Sequence, residues 1–210
     1  TFEVMSCYLD AIIFRTKNHS KLELAYKYFK KPIINALSDI SHPCQAISDI
    51  YTLRKHFDRY DNFKIVWCGD LNNVLFSLLE SINFLQTTKI DIFTNKKIYQ
   101  ANCNIFPKSD KISYHHEFDD NILSVADCVM TDVFTSMNDK ENKENILQKF
   151  QVNKSLMDKT SKHAIFMHCL PAKIGSEVTN EVIKGPKSIV LKQANNRMIS
   201  QIGIMKWLDL

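Results

Sequence analysis

Short apolar runs rich in β-branched and aromatic residues recur along the chain, and between them apolar positions fall at helical spacing. The runs predict strands over 11–14, 32–36, 65–68, 90–93, 112–114, 129–132, 165–168 and 188–191. The helical stretches predict helices over 21–29, 43–56, 73–85, 121–126, 143–150, 177–183 and 197–210, with Pro43 at a first helical turn. Short apolar strands alternating with amphipathic helices, joined by brief connections, predict an α/β fold with a doubly wound parallel sheet. Residues 63–185 read as one compact βα unit, whereas the first sixty residues supply only two strands and need further strands to pair with. The polar run 138–145 reads as a solvated loop entering a helix.

Composition narrows the classes. The 210 residues are 45% hydrophobic and 24% charged, which excludes a disordered tail or a collagen-like fibre. With 27 Lys and Arg against 23 Asp and Glu, a net charge of +4 is too mild for a nucleic-acid binder. No run of 18 apolar residues suits a membrane span, and residues 1–10 carry neither a basic n-region nor an apolar h-region. Cys7, Cys44, Cys68, Cys103, Cys128 and Cys169 form no CxxC pair, which argues against a zinc site or disulfide framework and for reduced thiols in a cytosolic protein. Only 4 Gly are present, so Asn, Asp and Ser must make most turns, and Thr1 in place of Met leads us to expect that the start of the protein lies upstream.

Ligands of such sheets bind beyond the carboxyl ends of the strands. Polar residues gather there: Arg15, the turn from His42 to Gln45, Gly69 to Asn73, Asp132 to Met137, and His168 to Pro171. His42 can donate to a carbonyl oxygen, or can simply open a helix ahead of Pro43. Asp132 and Ser136 can grip a cationic amine, although an aspartate at a strand end is often a turn former. Cys169 reads as a small hydrophobe or a site thiol, while Leu170-Pro171 fixes a sharp turn that a cis peptide would suit. Gly69 opens a turn able to cradle a phosphate, but without the further glycines of a nucleotide fingerprint. His115 and His116 point to opposite faces of a strand and so do not chelate together.

Four strings in order, His42-Pro43-x-Gln45, Gly69-Asp70-x-Asn72-Asn73, Asp132-x-x-x-Ser136-Met137 and His168-Cys169-Leu170-Pro171, resemble the ornithine branch of the aspartate/ornithine carbamoyltransferase family. Aspartate carbamoyltransferases resemble the chain around His42 but carry Pro where Cys169 stands and lack the Ser-Met pair. The resemblance runs through essentially the whole chain, including Arg15 and Asn196-Arg197. It implies that Arg15, His42, Gln45, Cys169, Leu170 and Arg197 bind carbamoyl phosphate and that Asn73, Asp132, Ser136 and Met137 bind ornithine. Arg15, His42, Asp132 and Cys169 would carry the chemistry, with no metal and no organic cofactor.

Further expectations follow from the same likeness. Residues 1–55 would be part of a carbamoyl phosphate-binding domain with a linker helix, and 56–187 the ornithine-binding α/β domain. Residues 188–210 would be a strand and helix returning to the first domain. The molecule would be a cytoplasmic homotrimer with active sites at subunit interfaces, without nucleic acid or membrane partners. Carbamoylation of putrescine or an acylated ornithine, or a non-catalytic amino-acid-binding remnant, are the rival readings. The family's Ser-x-Arg-Thr-Arg phosphate loop is absent, so the chain is expected to represent the C-terminal two-thirds of such an enzyme. Leu71 and Asn138 stand where the family has glycine, and Leu71 is awkward if the backbone there needs a positive φ.

Overall fold

Five parallel strands in the order β5-β4-β3-β6-β7 form the main sheet, and β1 and β2 form a separate parallel pair. The computed structural model describes residues 1–135 and 142–210. In chain order the elements are α1 (Phe2–Met5), β1 (Ile12–Arg15), α2 (His19–Tyr28), β2 (Ile33–Leu37), α3 (Pro43–Phe57), β3 (Lys64–Cys68), α4 (Asn73–Asn83), β4 (Lys89–Phe93) and α5 (Lys96–Asn102). There follow β5 (Ile112–His115), α6 (Asp120–Ser124), β6 (Cys128–Thr131), α7 (Glu144–Leu147), a 3-10 turn (Gln148–Phe150), α8 (Lys154–Lys159), β7 (Ile165–His168), α9 (Asn180–Ile183) and α10 (Val190–Trp207).

The main sheet is doubly wound, as the alternation of strand and helix predicts. Strand order reverses direction between β3 and β6, which opens a crevice at their carboxyl ends. All residues of β6 and β7 are buried, because helices cover both faces of the central strands. Trp67, Phe93, Phe134, Phe150 and Phe166 fill the core around them, each almost fully buried. Register matters for the site: Cys68 lies opposite Thr131, and Thr131 opposite His168. The next residues, Gly69, Asp132 and Cys169, therefore leave the sheet side by side.

Two expectations need correction. Residues 188–191 form no strand: Ser188 makes one isolated parallel bridge to Phe166, and α10 already begins at Val190. A four-residue apolar run cannot distinguish a strand from a buried helix start, and here the amide of Gln193 bonds back to the carbonyl of Ile189 and sets the helix. Arg197 thus projects from the interior of α10 instead of forming its first residue. The helix expected over 177–183 is only α9; Glu177 lies outside it and is fully buried. Unforeseen were α1, α5 and α8, although Asn95 and Asn153 cap the last two with side-chain bonds to Lys97 N and Leu156 N, a signal the sequence carries. Of the polar run 138–145, residues 138–141 lie outside the described residues, and α7 begins at Glu144.

α10 packs along α3 and against β7, so the last helix bridges the helix that follows the small sheet and the site edge of the main one. Asn196 Nδ2 donates to Thr52 Oγ1 at 3.0 Å within that seam.

Candidate active site

Asp132 sits where β6 ends and accepts from both sides. Asn72 Nδ2 donates to its Oδ2 at 2.8 Å, and the Cys169 thiol donates to its Oδ1 at 3.1 Å. Asn72 also caps α4, its Oδ1 accepting from the amides of Val74 and Leu75, so one side chain fixes both the helix start and the carboxylate. Burial, and then the Asp132 charge, push the Cys169 thiol well above its ordinary range, so the proton stays on sulfur. Gly69, at φ 122°, makes the turn between β3 and α4, and a Cβ there would lie 2.7 Å from the Phe134 ring. Leu71 takes no positive φ and is buried in the core, so the awkwardness expected of a leucine in this turn does not arise.

His42 caps α3 from a buried position, its own amide donating to Ser77 Oγ at 2.8 Å. Burial, then the charges of Arg197 and Arg15, pull its pKa down to about 4. The imidazole is therefore neutral at physiological pH, and its Nδ1 has no partner among the described residues. Arg197 Nη1 donates to Gln45 Oε1, while Gln45 Nε2 donates to Asp49 Oδ1 at 2.8 Å. Arg15 ends β1 with an exposed side chain.

The turn after β7 is held from behind. His168 N donates to Gln193 Oε1 at 2.9 Å, and Leu170 N donates to His168 Nδ1 at 2.9 Å. With Nδ1 accepting, the ring proton lies on Nε2 and donates to Glu177 Oε1 at 3.1 Å. Leu170 adopts a left-handed φ of 55°, and the Leu170-Pro171 bond is cis.

Asp132, His168 and Cys169 each place a possible ligand atom within 4.8 Å of one another. Both ring nitrogens of His168 are already hydrogen-bonded, to Leu170 N and Glu177 Oε1, so the imidazole has no free ligand atom to offer in this arrangement. His115 bonds to Asp91 at 2.7 Å and His116 to the Thr94 carbonyl at 3.1 Å, apart as strand geometry requires.

A cavity of about 250 Å³ adjoins the site, lined among others by Asp39, Asn72, Asn73 and Phe106. Asn73 Nδ2 donates to the Ser38 carbonyl at 2.6 Å, tying α4 to the loop after β2. Lys143 Nζ meets Asp70 Oδ2 at 2.8 Å on the same cavity wall. Ser136, Met137 and Asn138 lie outside the described residues.

The family model for the Asp/Orn binding domain of aspartate/ornithine carbamoyltransferase matches residues 61–208, and that for the carbamoyl-P binding domain matches 1–55. The chain belongs to the aspartate/ornithine carbamoyltransferase family. An ornithine carbamoyltransferase of Agrobacterium fabrum is 40% identical over 211 residues, covering 99% of this chain and 69% of that protein. The crystal structure of ornithine carbamoyltransferase from Thermus thermophilus superposes with a TM-score of 0.86 at 31% identity, covering 99% of this chain and 69% of that one. That from Burkholderia thailandensis gives 0.88 at 28%, covering 99% and 68%.

In this carbamoyltransferase, sequence reasoning named Asp132, Cys169, Leu170, His42, Gln45 and Arg197, and the fold gathers them at the carboxyl ends of β6 and β7 and along the α3–α10 seam. It gave no role to Asn72, Asp49, Gln193 or Glu177. Asn72 had a signal, as an N-cap candidate beside a strand end. The other three lie in or near helices, where a polar side chain reads as solvent-facing until the partner helix is known.

Proposed function

We propose that the chain acts as an ornithine carbamoyltransferase, moving the carbamoyl group of carbamoyl phosphate to the side-chain amine of L-ornithine to give L-citrulline and phosphate. The observation that carries this reading is Asp132 with its two donors, Asn72 and the protonated Cys169, at the crevice where β3 and β6 part. A carboxylate there suits an ammonium side chain, and a thiol that keeps its proton stands beside it as a donor.

The ammonium gives up a proton, and its nitrogen lone pair attacks the carbonyl carbon of carbamoyl phosphate. The bond from that carbon to the phosphate oxygen then breaks, phosphate leaves with the electron pair, and a second proton leaves the nitrogen. Neutral His42, with Arg15 and Arg197, stabilises the oxyanion formed on the carbonyl, as preorganised donors do. Gln45, Leu170 and Cys169 hold the carbamoyl group, and Asn73, Asp132, Ser136 and Met137 hold ornithine. The chemistry needs no cofactor, because phosphate is already a good leaving group.

On the same reading, residues 1–55 serve carbamoyl phosphate, 56–187 serve ornithine, and 188–210 return to the first unit. The molecule works as a cytoplasmic homotrimer with active sites at subunit interfaces. Among the described residues no helix is long and apolar enough to cross a membrane.

Citrulline formation measured on Asp132→Asn and Cys169→Ala tests the roles. Each should lower kcat/KM by about 10²-fold or more, the usual effect of removing one critical polar group. A loss of less than about tenfold for both would remove them from the machinery.

A further inference from the structure

Asp49 lies fully buried on the face of α3 that meets α10, beneath both halves of the site. Its Oδ1 accepts from two amides, Gln45 Nε2 and Gln193 Nε2, each at 2.8 Å, and its Oδ2 has no partner among the described residues. Ionised, or carrying a proton on the unpartnered Oδ2, the group presents Oδ1 as an acceptor only, so each glutamine must turn its NH₂ toward Asp49 and its carbonyl oxygen away. The oxygen of Gln45 then faces Arg197, and the oxygen of Gln193 faces the amide of His168. From His168 the chain of bonds continues to the amide of Leu170 and, on the other side of the ring, to Glu177. One buried acceptor thus sets the orientation of two amides on two helices, one leading to Arg197 and the other to the turn that carries Cys169.

We propose that Asp49 is a positioning residue: it orients Gln45 and Gln193 and so keeps the carbamoyl phosphate half of the site in register with the Cys169–Leu170 turn. This rests on the carbamoyltransferase reading for its kinetic consequence, but the hydrogen-bond relay itself exists without substrate. Hydrogen bonds in a buried network polarise one another, so removing one member weakens those that remain.

Three variants separate the possibilities. Asp49→Leu keeps the branched shape at a larger volume and removes the acceptor, Asp49→Asn keeps an oxygen for both amides, and Gln193→Met cuts the branch to His168. Hydrogen exchange of the His168 and Leu170 amides, followed in the free protein, should quicken by about tenfold or more in Asp49→Leu and Gln193→Met, the weight of one lost buried hydrogen bond, and stay within about threefold of the parent in Asp49→Asn. Citrulline kinetics on the same proteins should show kcat/KM falling by about tenfold for both substrates in Asp49→Leu, and largely restored in Asp49→Asn. Unchanged exchange in Asp49→Leu, or an Asp49→Asn variant as impaired as Asp49→Leu, would overturn the proposal. If Asp49→Leu does not fold, the smaller Asp49→Ala decides by the same two readouts. A parent that makes no citrulline would refute the carbamoyltransferase reading alone, because the exchange measurement still judges the relay.

Discussion

Burial and the Asp132 carboxylate, whose Oδ1 lies 3.1 Å from the Cys169 sulfur, both oppose a thiolate at that position. Alkylation needs the thiolate. Iodoacetamide at pH 8 should therefore label the exposed Cys7 well before Cys169, as peptide mapping would show. Asp132→Asn removes the charge and should accelerate labelling of Cys169 by severalfold. A Cys169 that reacts as fast as Cys7 in the parent, or more slowly in the variant, contradicts the pairing. Much of this chemistry was legible in the sequence, because Asp132 ends a predicted strand, Cys169 follows one and His42 precedes a predicted helix. Asn72 was harder, since adjacent asparagines in a turn are alike until the helix start sends Asn72 to Asp132 and Asn73 to the Ser38 carbonyl. Asp49 and Gln193 were illegible: polar positions in the middle of helices reveal partners only once α3 and α10 are packed together.

At the scale of elements, the site depends on the tight exit from β3. Gly69 combines φ 122° with a missing Cβ that would sit 2.7 Å from the Phe134 ring and 3.5 Å from Thr131 Oγ1. Gly69→Ala should cost about 1–3 kcal/mol and lower Tm by several degrees in a thermal melt, since the residue meets backbone strain and a clash together. Gly203→Ala, where a Cβ meets nothing within 4 Å, should leave Tm unchanged or slightly raised, because the position is mid-helix. Equal effects from the two would show that the turn is not under constraint. Strands β3, β6 and β7 were readable from their apolar runs, since a strand buried on both faces has little choice of residue, whereas Asp91 in β4 and Ser113 in β5 mark strands nearer the β5 edge of the sheet. The run at 188–191 misled for the same reason: Ile189 and Val190 are buried at a helix start, and burial alone does not declare a period.

Across the whole molecule, the ionisation of Asp49 links stability to pH. Burial, outweighing bonds from Gln193 and Gln45 and the charge of Arg197, raises its pKa from 3.8 to about 7, with the Asp132 charge acting in the same direction as burial. A carboxyl that holds its proton more tightly when folded stabilises the fold fully below its unfolded pKa. That contribution is lost as pH rises from 3.8 through about 7. Asp49→Asn has no such proton to lose, so its stability relative to the parent should rise by a few kcal/mol between pH 5 and pH 8, read from denaturant melts. A difference that does not change with pH would place Asp49 in a less costly environment than its burial implies. The central claim concerns the substrate, and initial rates of carbamoyl transfer from carbamoyl phosphate to ornithine, putrescine and N-acetylornithine test it most directly. The account predicts citrulline and phosphate released one for one, with kcat/KM for ornithine exceeding the other two by about 10²-fold, as expected when buried polar groups are matched to one substrate. Transfer to none of the three amines, or a preference for putrescine or N-acetylornithine, would contradict it.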